Sequence, residues 1–137
     1  MSLLNVFEIA GSAMSAQTVR MNVTASNMAN LDAVSSSGGE TYRARHPIFE
    51  TVYSDSMKNG LSSGVRVAGI VESQAPLRQE YHPAHPQADE NGYVFFPNVN
   101  SIEEMTNMIS ATRTFQNNVE IINASKQMLM STLSMGQ

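Results

Sequence analysis

Apolar residues recur in steps of three and four along the last third of the chain. From Met105 the series runs through Met108, Thr112, Phe115, Val119, Ile122, Lys126, Leu129 and Leu133, and seven of these nine positions are apolar. That alternation is the seam of a helix built for a coiled coil. Pro97 breaks what precedes it, Ser101-Ile102-Glu103-Glu104 reads as a capping box, and Gly136 supplies a stop. From Ser101 to Met135 the predicted helix is about 52 Å long at ~1.5 Å per residue. It is too long to be covered by the remainder of a 137-residue chain. It calls for a partner.

The N-terminal segment repeats the device. Leu3, Phe7, Ala10, Met14, Gln17, Met21, Thr24, Met28 and Leu31 step by four and three, and again seven of nine are apolar. Ser2 is placed to cap this helix, and Asn30-Leu31-Asp32 with Ser35 to Gly39 ends it. Two matched stripes at opposite ends predict two long helices pairing as an antiparallel coiled coil. The competing arrangement is two unrelated amphipathic helices, each packed on the middle segment. Further apolar rows lie off the seams, at Ile9, Ala13, Ala16 and Val23 on one helix and Ile121, Met128 and Met135 on the other. A single pair leaves them bare, so other subunits are expected to cover them and to order the arms.

Five of the ten methionines, Met14, Met21, Met28, Met105 and Met108, fall on the seams. Thioether side chains adapt to slightly different neighbours, which suits a helix repeated in non-identical packing sites; they also serve as ordinary core filler. Gln17, Thr24, Thr112 and Lys126 are polar intruders that could fix register or partner choice.

Residues 33–97 form a different unit, giving a division into an N-terminal axial helix (1–32), a linker and small β-rich unit (33–97) and a C-terminal axial helix (98–137). Val34 to Glu40 reads as a flexible linker. Thr41 to Arg45 and Ile48 to Tyr53 are short β candidates split by Pro47, and residues 59–64 form a turn cluster. Val65 to Val71 is the best strand in the chain, Leu77 to His82 is another candidate, and Asn91-Gly92 is a turn before Tyr93-Val94-Phe95-Phe96. The expected fold is therefore mainly α, with a short-stranded β-rich insert between long terminal helices.

Composition removes most alternatives. The net charge is -4 and the pI about 5.2, so nothing favours nucleic acid or an anionic membrane. No apolar run reaches the ~18 residues that would suggest membrane insertion. The N-terminus lacks a basic region and Glu8 interrupts its apolar stretch, so no cleaved signal peptide is expected. Absence of cysteine excludes thiolate metal sites and disulfides. His82, His85, Asp89 and Glu90 are the one cluster with metal-ligand chemistry, but Pro83 and Pro86 keep them off a helix face, and a surface loop is the better reading. No phosphate loop and no nucleophile elbow occur. No catalytic residue, cofactor or metal is expected.

Particular residues add a resemblance. Leu4 to Ala13, followed by Ser26-Asn27-Met28-Ala29-Asn30, resembles the Asn-Ile-Ala-Asn signature of bacterial flagellar axial proteins, with Met28 in place of the usual isoleucine. Glu72-Ser73-Gln74-Ala75-Pro76, Gly92-Tyr93-Val94, Pro97-Asn98-Val99-Asn100, Arg113 to Glu120 and Thr132 to Gly136 extend the likeness to the proximal rod proteins of the flagellar basal body. It covers nearly the whole chain and is weakest from Ser54 to Gly64. The resemblance implies a structural subunit of the rod, the drive shaft that carries motor torque across the periplasm. It implies export through the flagellar type III apparatus, and assembly with itself and other rod proteins through the terminal helices. The assembly seam would then comprise Phe7, Met14, Met21, Met28, Met105, Met108, Phe115, Val119, Ile122, Leu129 and Leu133, with Asn27, Ala29 and Asn30 as the family motif. The alternative reading is a soluble coiled-coil adaptor or export chaperone.

Overall fold

The computed structural model describes residues 3–53 and 63–136, with side chains from Asn5 to Val52 and from Gly64 to Gly136. The expected cap at Ser2, the side chain of Leu3 and most of the 59–64 turn cluster lie outside the described residues. Two long helices, α1 (Leu3–Ala29) and α2 (Ser101–Met135), flank two antiparallel hairpins. The first is β1 (Arg45–Tyr53) with β2 (Ser63–Glu72), and the second is β3 (Arg78–Tyr81) with β4 (Tyr93–Phe96).

Helix ends are set by asparagines. Asn30 closes α1: its N–H donates to the carbonyls of Ser26 and Asn27, both at 3.2 Å, and its Nδ2 donates to Ser26 at 2.8 Å. Carbonyls that a helix end leaves orphaned are thereby satisfied. Asn100 opens α2, its Oδ1 accepting from the N–H of Ile102 at 3.0 Å. The cap thus sits one residue before the expected box, and Ser101 is already helical. Asparagine is at least as good a cap as serine. Glu103 and Glu104 fall in the first turn, where the helix dipole favours them.

The second expected candidate, Ile48 to Tyr53, belongs to a strand that runs on through Pro47 from Arg45, whereas Thr41 to Ala44 of the first candidate lies outside any strand. Pro47 faces Ile70 within the β1–β2 ladder, and every strand of a two-stranded ribbon is an edge, where a missing N–H is tolerated. A bulge follows, because Ile48 pairs with Gly69 while Phe49 pairs with Val67, leaving Ala68 over. In the second hairpin, Asp89 accepts from the N–H groups of Asn91 (2.9 Å) and Tyr93 (2.8 Å), and Gly92 turns the chain at φ +80.

Residues 34–40, expected to be a flexible linker, are held down. Ser35 and Phe95 exchange backbone hydrogen bonds at 3.1 and 3.0 Å, so this segment lies beside β4. The Thr41 hydroxyl donates to the Ser37 carbonyl at 2.8 Å. Backbone groups near a buried residue need partners, and composition alone does not reveal that they are found here.

α1 is the centre of the molecule. It packs on α2 along one face and on both strands of the β1–β2 ribbon along another; among the described elements α2 touches only α1. The helices run in opposite directions. Thr24 shares a cavity with Glu104, whereas Arg20, four residues earlier, bonds Asn107 at 2.8 Å and Met21 meets Thr112 at 3.6 Å. The buried apolar residues are small: Ala10, Ala16, Val23, Ala44, Val94 and Ala111. Such a core is thin.

Candidate assembly surface

The face of α2 turned to α1 is displaced by one position from the apolar seam. Glu104, Ala111 and Ser125 are its buried residues, and Met108, Phe115, Asn118 and Ile122 are half-buried. This set steps by four and three. It shares Met108, Phe115 and Ile122 with the apolar series, but carries Glu104, Ala111, Asn118 and Ser125 where that series has Met105, Thr112, Val119 and Lys126. A small side chain suits the rotation: Ala111, fully buried on α2, lets two backbones approach closely, which a larger residue would prevent. A hydrophobicity pattern cannot see such a row, since Glu104, Asn118 and Ser125 in it are polar; the small residues Ala111 and Ser125, two heptads apart, were the available signal.

The displaced apolar residues are left outside. Met105 is 52% exposed and Ile109 55%, and Ile102, Val119, Ile121, Met128, Met130 and Met135 are exposed as well. Leu129 and Leu133, expected on the seam, are also exposed. On α1 the expected seam residues Phe7, Met14, Met21 and Met28 are all half-buried. Ser125 is the last buried residue of α2, and every described residue from Lys126 onward is exposed. At ~1.5 Å per residue the ten residues to Met135 form an overhang of about 15 Å.

The family-motif residues have separate tasks. Asn27 is 1% exposed, and its amide exchanges both kinds of hydrogen bond with the backbone of Arg45. Asn30 closes α1, while Ala29 is exposed. Asn98, which the site prediction did not single out, accepts from the N–H of Ala44 at 2.8 Å and donates to the Ala75 carbonyl at 2.9 Å. Gln17, on the expected α1 seam, carries a buried Oε1 with no hydrogen-bond partner among the described residues.

A shallow groove of about 550 Å³ between α1 and the ribbon is lined by Val19, Val23 and Ile70, with the exposed Arg45–Glu72 ion pair at its rim. His82 lies 3.3 Å from Glu80, and the His85 Nδ1 accepts from the Gln87 N–H. Among the described residues no three histidines or carboxylates are grouped to hold a metal ion. Nor is any described helix long and apolar enough to cross a membrane.

Comparison with known proteins bears on both helices. Residues 7–35 match the family model "Flagella basal body rod protein", and residues 90–135 match "Flagellar basal body rod FlgEFG protein C-terminal". The chain is 49% identical to the flagellar basal-body rod protein FlgC of Yersinia enterocolitica and 47% identical to that of Salmonella typhimurium, over the full length of each. It is 37% identical to the FlgC of Borreliella burgdorferi, covering all of this chain and 99% of that one.

Proposed function

From the premise that this chain belongs to the FlgC family of flagellar basal-body rod proteins, we propose that its terminal helices assemble into a multi-subunit coiled-coil shaft. The protein is a structural rod subunit of the flagellar basal body and not an enzyme. Within each subunit α1 and α2 form a pair through the row containing Ala111. Between subunits the apolar residues that this pairing leaves outside form the joint. A heterologous contact that does not close into a ring extends as a helical shaft, and a shaft of long helices transmits torque along their axes. Neighbours are further copies and other rod proteins, reached after export through the flagellar type III apparatus into the periplasm.

One observation carries this reading. A helix that already spends one face on α1 exposes Ile102, Met105 and Ile109 on another, and a Met- and Leu-bearing overhang beyond its partner. The eleven seam residues expected from the sequence divide accordingly into those within the pair and those available to neighbours.

Substitutions on the two faces test it. Phe115→Asp and Ile122→Asp place a charge inside the pair and should lower the helicity of the chain as well as abolish incorporation. Ile109→Asp and Met105→Asp should leave the pair folded and still abolish incorporation into isolated basal bodies. Normal rods and swimming in the Ile109 and Met105 variants would remove the exposed face from the assembly.

A further inference from the structure

Adjacent residues at the start of β1 are gripped from two sides by the side-chain amides of two asparagines. Asn27, in the last turns of α1, accepts at Oδ1 from the Arg45 N–H (2.9 Å) and from the Tyr42 hydroxyl (2.8 Å), and donates from Nδ2 to the Arg45 carbonyl (2.9 Å). The reciprocal exchange with Arg45 is what a neighbouring strand would make. Asn98, just before α2, accepts from the Ala44 N–H at 2.8 Å. Its Nδ2 donates to the carbonyls of Ala75 (2.9 Å) and Ser73 (3.4 Å), beyond the end of β2. Ser73 in turn donates its N–H to the Ala44 carbonyl at 2.7 Å. Both ends of the ribbon's base are therefore tied to the helix pair where α1 ends and α2 begins. Ala44 between the two amides is 3% exposed.

We propose that Asn27 and Asn98 act together as one latch that fixes the orientation of the β1–β2 ribbon on the helix pair. They are positioning residues: they hold backbone and touch no partner. Removing either amide leaves part-buried backbone groups unsatisfied, which costs more than a missing contact. Because Ala44 and Arg45 are consecutive, loss of one grip frees the strand from the other. The helices pack through separate residues, among them Ala111 and Met21, so the latch can open while they remain paired. The proposal rests on the rod reading only for the state in which it is measured.

Lack of cysteine makes the measurement direct. Spin labels at Thr18→Cys and Ala68→Cys report ribbon against α1, and labels at Thr18→Cys and Ser110→Cys report helix against helix. All three positions are exposed. The doubly labelled chain is incorporated into basal bodies diluted with unlabelled chain. The expected result is a single narrow distance for both pairs in the parent chain. Asn27→Ala and Asn98→Ala should each abolish the narrow ribbon distance and spare the helix–helix distance. The double variant should be no broader than the worse single one, as coupled sites are not additive. Should the alanine variants not enter basal bodies, Asn27→Asp and Asn98→Asp, which keep an acceptor and lose the donor, are expected to release the ribbon likewise. A narrow ribbon distance in either single variant, equal broadening of both pairs, or additive broadening would overturn the latch. Failure of the parent labelled chain to enter basal bodies would instead count against the assembly reading.

Discussion

Single residues decide where this chain can bend and how close its helices come. Gly92 adopts φ +80, and a Cβ there would sit 2.8 Å from the Tyr81 ring. Gly92→Ala should therefore destabilise the β3–β4 hairpin by about 1–3 kcal/mol, from left-handed backbone strain and the clash together. Faster amide exchange at Tyr93 and Phe95 would register it, and unchanged protection would argue that the turn relaxes freely. Ala111 is 0% exposed between the helices. Ala111→Leu is expected to cost about 1–3 kcal/mol by overpacking, even though it raises hydrophobicity. Thermal unfolding of the helical signal checks the sign. A stabilised variant would show that the helices meet elsewhere.

At the scale of elements, the long helices and the best strand are readable in the sequence, and their faces are not. Periodicity locates α2 because its apolar series persists for more than 30 residues, and Val65 to Val71 stands out through its β-branched residues. The face that packs is set by how near two backbones come, which favours Ala111 and Ser125 over Met105 and Val119. Pro47 misled for a related reason: proline argues against a strand only where its N–H is needed. The overhang of α2 yields a prediction of its own. Deleting residues 127–137 removes nothing that is buried in a described position. The shortened chain should keep its helix pair and ribbon yet fail to enter the rod, as counted by subunit stoichiometry in purified basal bodies. Full incorporation would show the overhang to be dispensable.

For the whole molecule the governing fact is the scarcity of core. Among the described residues most buried side chains are small, and only Val94 and Asn27 are larger ones fully enclosed. Much apolar surface remains outside, so burial in the free chain offsets less of the conformational entropy that long helices cost. Helicity by circular dichroism is therefore expected to rise when dilute chain is incorporated into rods. Full helicity and a fixed small oligomer in dilute solution would favour an adaptor over a shaft. His82→Ala with His85→Ala should leave assembly and motility unchanged, since both rings are exposed and their nearest polar contacts are local. Loss of assembly in that variant would demand a role for the loop.

The sequence by itself determined that two long amphipathic helices bracket a short β-rich segment, that chemistry is absent from its motifs, and that its likeness is to flagellar rod proteins. Those properties follow from local periodicity, composition and motif spacing, which a linear chain displays. Only the tertiary structure decided which stripe of α2 lies on α1, that Pro47 sits within a strand, and that Asn98 and Asn27 hold the consecutive backbone residues Ala44 and Arg45. Each of these depends on groups distant in sequence coming within a few ångströms, where side-chain size and unsatisfied hydrogen bonds outweigh the pattern of apolar positions. On α2, four of the seven seam residues that periodicity picks out, Met105, Val119, Leu129 and Leu133, are surface that pairing leaves free.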